Sequence, residues 1–314
     1  MKAIVLKGFG GVENLIVGQI DVPAITDDEV LIKVKAFSIN PVDYKVREGV
    51  GWAHDLLKYN PIILGWDVSG IVEAVGKNVA KFKAGDEVFG MINFVGHGKA
   101  YAEYVAAKAG QLALKPKNIS HAEAAASTLA ALTAWQAFHH FGRLKKDDKV
   151  LIHAASGGVG HFAVQIAKYM GAYVIGTSSA GNKDFVLGLG ADRHIDYRSE
   201  NFDEVLSDID FCLETIGHVN FRRSVQVLKR GGTIVNLPSG LTTEDERLAN
   251  IKDLKSCFFM AVYSSGRDMG IISDLLGKGL IKPFISRTFV FDEIREAHRQ
   301  IESGRTVGKV VVCL

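Results

Sequence analysis

Cysteine is scarce. Cys212, Cys257 and Cys313 are the only three in 314 residues. They are far apart and lie in apolar runs, so no Cys-x-x-Cys metal pair exists, and reduced thiols in a cytoplasmic setting are expected. Long runs of one charge sign are missing too. The 37 basic and 35 acidic residues leave a formal net charge of +2, which points to neither nucleic acid nor a membrane surface as partner. No apolar run reaches the roughly 18 residues that a membrane span needs. The N-terminus enters an alternating strand at once, so no signal peptide is expected. Internal repeats and low-complexity segments are lacking. What is present is ordinary for a globular chain: 47% hydrophobic and 23% charged residues, in a length that allows two domains with their own cores.

The most informative stretch runs from Val150 through Ile152, His153 and Ala155-Ser156-Gly157-Gly158-Val159-Gly160. It reads as a buried strand, a tight small-residue turn and a helix start. Apolar residues then recur at Val159, Phe162, Ala163, Ile166, Ala167 and Met170, the spacing of a one-faced helix. A second strand, Tyr173–Thr177, follows. The turn fits the dinucleotide fingerprint, with Ala155 in the first glycine's place. Ala155 is expected to permit the sharp turn, Gly157 to let a pyrophosphate approach the backbone, and Gly160 to let helix and strand pack closely. Free N–H groups and the helix dipole would hold the anion.

Residues 1 to about 120 read as β-rich and turn-rich, with strands at Lys2–Leu6, Glu29–Ala36, Gly70–Val75, Glu87–Met91 and Ala102–Ala106, which suggests a small barrel. Ser120-His121-Ala122-Glu123 fits a capping box that opens an alanine-rich helical region. Strands and helices then alternate. Strands are expected at His194–Asp196, Ile209–Glu214, Thr233–Leu237 and Cys257–Val262, and helices near Lys183–Leu189 and Val219–Leu228. This is the pattern of an α/β, doubly wound parallel sheet. The last segment predicts helices near Asp268–Lys278 and Asp292–Glu302, and strands near Thr288–Val290 and at Lys309–Leu314. A terminal strand needs a sheet to pair with. We therefore expect a discontinuous first domain of residues 1–121 and 263–314 around a second of 122–262.

NAD-binding folds usually place an acid roughly 20 residues beyond the glycine turn, on the ribose 2′-OH. Here that place holds Thr177-Ser178-Ser179, and no carboxylate occurs between Tyr173 and Lys183. Hydroxyls can donate to a 2′-phosphate that an acid would repel. Lys183 adds a cation, and Tyr197 and Arg198 end the next strand. The expected cofactor is NADP(H).

Further marks run the length of the chain. They are Asn40-Pro41-Val42-Asp43-Tyr44-Lys45, Pro61 with Gly65-Trp66-Asp67, Gly85-Asp86-Glu87-Val88, Ala131-Leu132-Thr133-Ala134, Asp196-Tyr197, Gly231-Gly232 and Gly308-Lys309-Val310-Val311. With these the chain resembles the medium-chain dehydrogenase/reductase superfamily, in its zinc-independent quinone oxidoreductase and enone oxidoreductase branch. The resemblance implies a GroES-like barrel domain and a Rossmann domain, with the active site in the cleft between them. Zinc-dependent relatives carry Cys where this chain has Asn40, and Gly-His-Glu where it has Gly65-Trp66-Asp67. Neither Asn40 nor Trp66 suits zinc. Phe89 to Tyr104 holds no cysteine, so the structural zinc lobe is missing as well. His97, His139 and His140 read as structural or surface residues. No metal is expected.

Without a Lewis acid, the implied chemistry is hydride transfer from NADPH to a quinone or to the C=C of an α,β-unsaturated carbonyl. Carried over from the family, Gly157, Gly158 and Val159 would meet the pyrophosphate. Ser178, Ser179, Lys183 and Tyr197 would surround the 2′-phosphate. Thr133, Ile216, Leu237 and Pro238 would line the cofactor, and Ser264 to Gly266 would return the chain toward the nicotinamide. Asn40 would face the substrate cleft. Lys45 would contact cofactor phosphate or a developing enolate, and Tyr44 is a candidate proton donor. Relatives often carry a cation one residue before Lys183, where this chain has Asn182. Alternatives are an enoyl-thioester reductase and a non-catalytic NADPH-binding sensor protein. The apolar strand from Cys257 would lie at a sheet edge, and a homodimer is expected from pairing there.

Overall fold

The first strand, β1 (Lys2–Leu6), buries Ala3, Ile4 and Leu6 and pairs antiparallel with β2 (Leu15–Gln19). The computed structural model describes every residue except Met260; for residues 256–259 the backbone alone is described. The long strand β3 (Glu29–Ile39) leads into helix α1 (Pro41–Arg47), which starts with proline at its first position, where the missing N–H costs nothing. A short helix α2 (Ala53–Leu56) and β4 (Ile62–Ile63) follow, and β4 closes a three-stranded sheet in the order β2-β1-β4. β5 (Asp67–Val75), β6 (Glu87–Met91), β7 (Tyr104–Lys108) and β8 (Ala113–Leu114) complete this β-rich stretch. β5 runs along one edge of β3, from Val30↔Val75 to Ala36↔Ser69.

Ser120 caps α3 (His121–Ala126) through the expected box. Its hydroxyl accepts from the Glu123 amide, and the Glu123 carboxylate accepts from the Ser120 amide at 2.7 Å. The alanine-rich region does not run on as one helix. It breaks at Ser127 and resumes as α4 (Leu129–Gln136), which ends in a π-turn over residues 137–141.

Strands and helices then alternate as β9 (Lys149–Ile152), α5 (Gly160–Tyr169), β10 (Tyr173–Ser178), α6 (Lys183–Gly188), β11 (Arg193–Asp196), α7 (Phe202–Val205), β12 (Ile209–Glu214), α8 (Val219–Val227), β13 (Leu228–Asn236), α9 (Thr243–Ile251) and β14 (Ser256–Phe259). The strands form one parallel sheet in the order β11-β10-β9-β12-β13-β14. The order reverses between β9 and β12, the topological switch point of a doubly wound sheet. Val150, Leu151 and Ile152 are fully buried, as expected for a strand covered on both faces. β14 lies at the sheet's edge. Of the strand expected at Cys257–Val262, Met260 lies outside the described residues, and Ala261 and Val262 are not in the strand.

The chain ends with α10 (Gly266–Gly277), β15 (Ile285–Val290), α11 (Ile294–Glu302) and β16 (Lys309–Cys313). β16 pairs antiparallel with β3, from Val310↔Ile39 to Cys313↔Ala36. β7 and β16 thus take successive stretches of the β3 edge opposite β5. Two compact units result, residues 1–132 with 263–314, and residues 133–262. The first unit runs past the expected residue 121 because α3 packs on β3, β5 and β16, where Ala125, Ala126, Ala36 and Val311 bury one another.

Candidate functional site

In the parallel-sheet unit, β9 ends at Ile152 and the chain turns through His153–Val159 into α5. The sharp turn falls on Ala154, whose φ is +46°, and not on Ala155 as its place in the fingerprint suggested. The Ala154 carbonyl accepts from the Gly157 amide at 2.8 Å. Ala155 is fully buried, and its amide donates to the Thr177 carbonyl at 2.9 Å, fixing the turn to β10. Gly160 has the packing role the fingerprint gives it. A Cβ there would lie 2.1 Å from the Ala154 oxygen and 2.7 Å from the Ala155 Cα. The first amides to bond back are those of His161, to Gly157 O, and Ala163, to Val159 O. The Gly158, Val159 and Gly160 amides meet no protein acceptor among the described residues. They stand at the positive end of α5, a backbone arrangement suited to an anion.

At the ends of β10 and β11 the structure brings Ser178, Ser179 and Tyr197 together. The Tyr197 amide donates to the Ser178 carbonyl at 3.2 Å. Ser178 is buried, and its hydroxyl lies 2.8 Å from Nε2 of His194. Ser179 accepts from Asn182 Nδ2 at 3.3 Å, and the same amide group donates to Ser156 Oγ at 3.1 Å. Asn182, where relatives often carry a cation, therefore ties the glycine turn to the end of β10. Lys183 is exposed and acts on His194, whose pKa burial lowers first and the lysine's charge lowers further. Tyr197 is 56% exposed, with the Arg198 guanidinium 5.6 Å from its ring centre. One carboxylate lies near. Asp196 accepts from its own turn, from the Arg198 amide at 3.1 Å and the Ser199 hydroxyl at 2.9 Å. Ser156, Asn182 and His194 were missed by sequence reasoning, because polar residues in turns, as Ser156 and Asn182 are, carry no periodic signal, and a lone histidine in the short strand β11 carries none either.

Ile216, Leu237 and Pro238 sit just past β12 and β13. Ile216 is 55% exposed although apolar. The Leu237 amide donates to Glu214 O at 3.0 Å, and Pro238 packs on Gly217. Thr133 is buried in α4. Among the described residues, His153, Cys212 and Glu214 place ligand-type atoms within 4.8 Å of one another. This set does not suit a metal. Both Glu214 oxygens already accept, Oε1 from the Ile216 and Gly217 amides at 2.6 and 2.9 Å, Oε2 from Asn220 Nδ2 and Ser224 Oγ at 2.8 and 2.9 Å. Burial and the Glu214 charge push the Cys212 thiol well up, so it is held as thiol and not as the thiolate that zinc binds.

In the β-rich unit, the Asn40 amide donates to Asp43 Oδ2 at 2.7 Å at the start of α1. The Asn40 side chain is buried with both its nitrogen and its oxygen engaged inside this unit, which corrects its expected place facing substrate. Its Nδ2 donates to Asp67 Oδ2 at 2.7 Å, and its Oδ1 accepts from Lys309 Nζ. The physical reason is Asp67, a fully buried carboxylate that must be surrounded by donors. It also accepts from Ser38 Oγ and, at 2.9 Å, from the Leu129 amide. Lys309 Nζ stands 3.6 Å from Asp67 and donates to Ile39 O at 3.2 Å. Burial lowers the Lys309 pKa, against the pull of Asp67 and Asp43. Burial, with the Asp67 charge nearby, pushes Asp43 up to about 7. Two positions at which zinc-dependent relatives carry Cys and the Glu of Gly-His-Glu, Asn40 and Asp67, thus close around an ammonium of the chain itself. The third, Trp66, donates its indole N–H to Gly96 O at 2.9 Å. These residues do not fit zinc.

Tyr44 and Lys45 project from α1, both half-buried. Burial, then Glu48 and Glu302, raises the Tyr44 pKa, so its hydroxyl keeps its proton. The Lys45 ammonium makes no hydrogen bond or ion pair among the described residues. Ser264 Oγ accepts from the Phe94 amide at 3.1 Å. Gly266 is buried at the start of α10, where a Cβ would fall 2.5 Å from the Gly110 oxygen. Its missing side chain serves that contact. His97 is buried, accepts from the Ile63 amide at 2.9 Å and stacks on Tyr59, while His139 and His140 are exposed.

Comparison with known proteins agrees with this anatomy. Residues 26–117 match the alcohol dehydrogenase GroES-like domain, and residues 189–312 match the zinc-binding dehydrogenase family. The chain is 36% identical to a 2-methylene-furan-3-one reductase of Solanum lycopersicum, over 99% of this chain and 79% of that protein. It is similar to the quinone oxidoreductase structure from Coxiella burnetii, with TM-score 0.94 and 35% identity over 100% of this chain and 99% of that one. It is also similar to the Escherichia coli quinone oxidoreductase solved with NADPH, with TM-score 0.88 and 28% identity over the whole of both chains. The chain belongs to the medium-chain dehydrogenase/reductase superfamily, in its zinc-independent quinone and enone oxidoreductase branch.

Proposed function

We propose that this chain is an NADPH-dependent reductase that delivers hydride to quinones or to the C=C of α,β-unsaturated carbonyls. The observation that carries the reading is the turn into α5. Three amides without protein acceptors stand at the positive end of a ten-residue helix that Gly160 locks against its strand. When bound, the nucleotide supplies the hydride. Gly158, Val159 and Gly160 hold its pyrophosphate through backbone N–H groups, while Gly157, whose own amide is spent on Ala154 O, offers no side chain to obstruct it. Ser179, Lys183 and Tyr197 offer hydroxyls and a cation to the 2′-phosphate, Ser178 lies buried behind them against His194, and β10 carries no acid there. Ile216, Leu237, Pro238 and Thr133 bound the rest of the cofactor. Tyr44, kept protonated by burial, is the candidate hydrogen-bond donor to the developing oxyanion, and Lys45 supplies a charge beside it. The acceptor must be activated by conjugation, because Asn40 and Asp67 are engaged with Lys309 and the chain offers no Lewis acid at those positions. The tomato furanone reductase and the quinone oxidoreductases support this substrate class. A homodimer paired through the sheet edge at β14 completes the reading.

Oxidation of NADPH followed spectrophotometrically against a quinone, a 2-alkenal and an enoyl-CoA tests it. We expect turnover with the first or second and a lower KM for NADPH than for NADH. Turnover confined to the enoyl-CoA would make the chain an enoyl-thioester reductase. Tight NADPH binding without turnover would make it a sensor.

A further inference from the structure

Beneath the Thr215–His218 turn runs a buried polar chain that the proposed reaction leaves unused. Thr177 Oγ1 lies 3.1 Å from His153 Nδ1, and His153 Nε2 lies 2.9 Å from Ser224 Oγ. Ser224 Oγ in turn lies 2.9 Å from Glu214 Oε2. Thr177, His153, Ser224 and Glu214 are each at most 4% exposed. The chain has one self-consistent direction. Glu214 can only accept, so Ser224 donates to it in preference to the neutral Asn220 carbonyl, which is equally close at 2.9 Å. Ser224 then accepts from Nε2–H of His153, and Nδ1 accepts from Thr177. Burial lowers the His153 pKa, as a neutral imidazole in this chain requires. The run crosses the sheet from the end of β10, past β9, to the end of β12. It therefore spans the switch point, outside which ligands of such sheets bind.

Glu214 also fixes the turn above it. Its Oε1 takes both the Ile216 and Gly217 amides. The turn needs holding, because Gly217 and His218 have φ of +88° and +47°, and a non-glycine residue rarely adopts such a conformation unaided. From the other side, Thr215 Oγ1 donates to the His153 carbonyl at 2.8 Å. The exposed apolar side chain this turn presents is Ile216.

We infer that Glu214, tied through Ser224 and His153 to Thr177, is a positioning residue that holds Ile216 and Gly217 against the nicotinamide end of the cofactor. The inference rests on the reading that NADP(H) binds at this sheet end. It separates two functions within the unit: the glycine turn and Ser178 region bind the nucleotide, and the Glu214 chain sets where its reacting ring lies.

The test compares the full-length Glu214→Gln and Ser224→Ala variants with wild type and with Phe221→Leu. Phe221 is buried in the apolar core on the same helix α8 and bonds to none of these groups, so its variant controls for loss of packing. Amide hydrogen exchange is read without cofactor, alongside the NADPH dissociation constant and kcat. In Glu214→Gln we expect exchange at Ile216 and Gly217 to quicken at least about tenfold as their charged acceptor is lost. We expect kcat at saturating NADPH to fall at least about tenfold, and the NADPH dissociation constant to change by less than about threefold, since misplacement and not lost affinity is the defect. Ser224→Ala should move the same quantities in the same direction by less, and it stands in if Glu214→Gln fails to fold. Unchanged exchange, an unchanged kcat, or an equal loss of kcat in Phe221→Leu would overturn the inference. A wild-type protein that binds no NADPH would sink the functional reading together with this one. A wild type that turns over normally beside an equally active Glu214→Gln would sink this one alone.

Discussion

A buried ammonium is unusual enough to require neighbours, and Lys309 has three oxygens around it, from Asp67, Asn40 and Ile39. Removing one member of such a group leaves the rest desolvated and unpaired. We expect Lys309→Met to cost about 3–5 kcal/mol of stability, read as a lower midpoint of urea unfolding. A wild-type midpoint would show that the cluster is not coupled as described. Asp43 gives a pH signature from the same region. Its carboxyl is raised from 3.8 to about 7 in the folded protein, so between those values the native state holds a proton that the unfolded chain has released. This contribution to stability is full below pH 3.8 and is lost as pH rises through 7. The loss is on the order of 4 kcal/mol. Asp43→Asn should abolish it, so that the variant gains on wild type as unfolding is measured at rising pH. Equal pH slopes for the two proteins would contradict the assignment. None of this was legible in the sequence. Lys309 reads there as the first residue of a terminal strand, and its partners Ile39, Asn40 and Asp67 lie more than 240 residues away in the chain.

Helix α5 shows what an element owes to a single missing side chain. Gly160 allows the helix to start where its first turn touches the Ala154 carbonyl, a backbone atom that cannot swing aside. We expect Gly160→Ala to cost about 1–3 kcal/mol by overpacking and to weaken NADPH binding, since the amides that hold the pyrophosphate move with the helix. Gly157→Ala meets the same carbonyl at 3.2 Å and should cost less stability. Denaturation and fluorescence titration of both variants would check the order, and its reversal would place the close contact elsewhere. The elements read best from the sequence were those with strong periodicity, β9, α5, β10 and α8. Those missed were short or lacked a clean period. β2 has adjacent exposed Ile16 and Val17 on a two-sided edge, and β4 has two residues. Helices α1 and α9 did carry start signals, Asn40-Pro41-Val42-Asp43 and Thr242-x-x-Asp245. Aspartate stands where a capping box usually has glutamate or glutamine.

At the scale of the whole molecule, the alternation of strand and helix after residue 150 was enough to read a doubly wound sheet. The need of a terminal strand for a partner was enough to bring residues 309–313 back to β3. What alternation cannot report is how the β-rich unit treats the positions at which zinc-dependent relatives bind metal. The substitutions at Asn40 and Trp66 removed the ligands, and the fold supplies Lys309 from its last strand as the cation that Asp67 then needs. A zinc ion would have to displace that ammonium, the Ser38 hydroxyl and the Asn40 amide from one carboxylate while gaining neither thiolate nor imidazole. Chelation should therefore leave NADPH oxidation and the unfolding midpoint unchanged, and added zinc should not restore or raise either. The measurement is activity and thermal unfolding after exhaustive dialysis against a strong chelator, with elemental analysis of the same sample. Activity lost with stoichiometric zinc and regained on its return would mean that the buried ammonium is not the resident cation of this cluster.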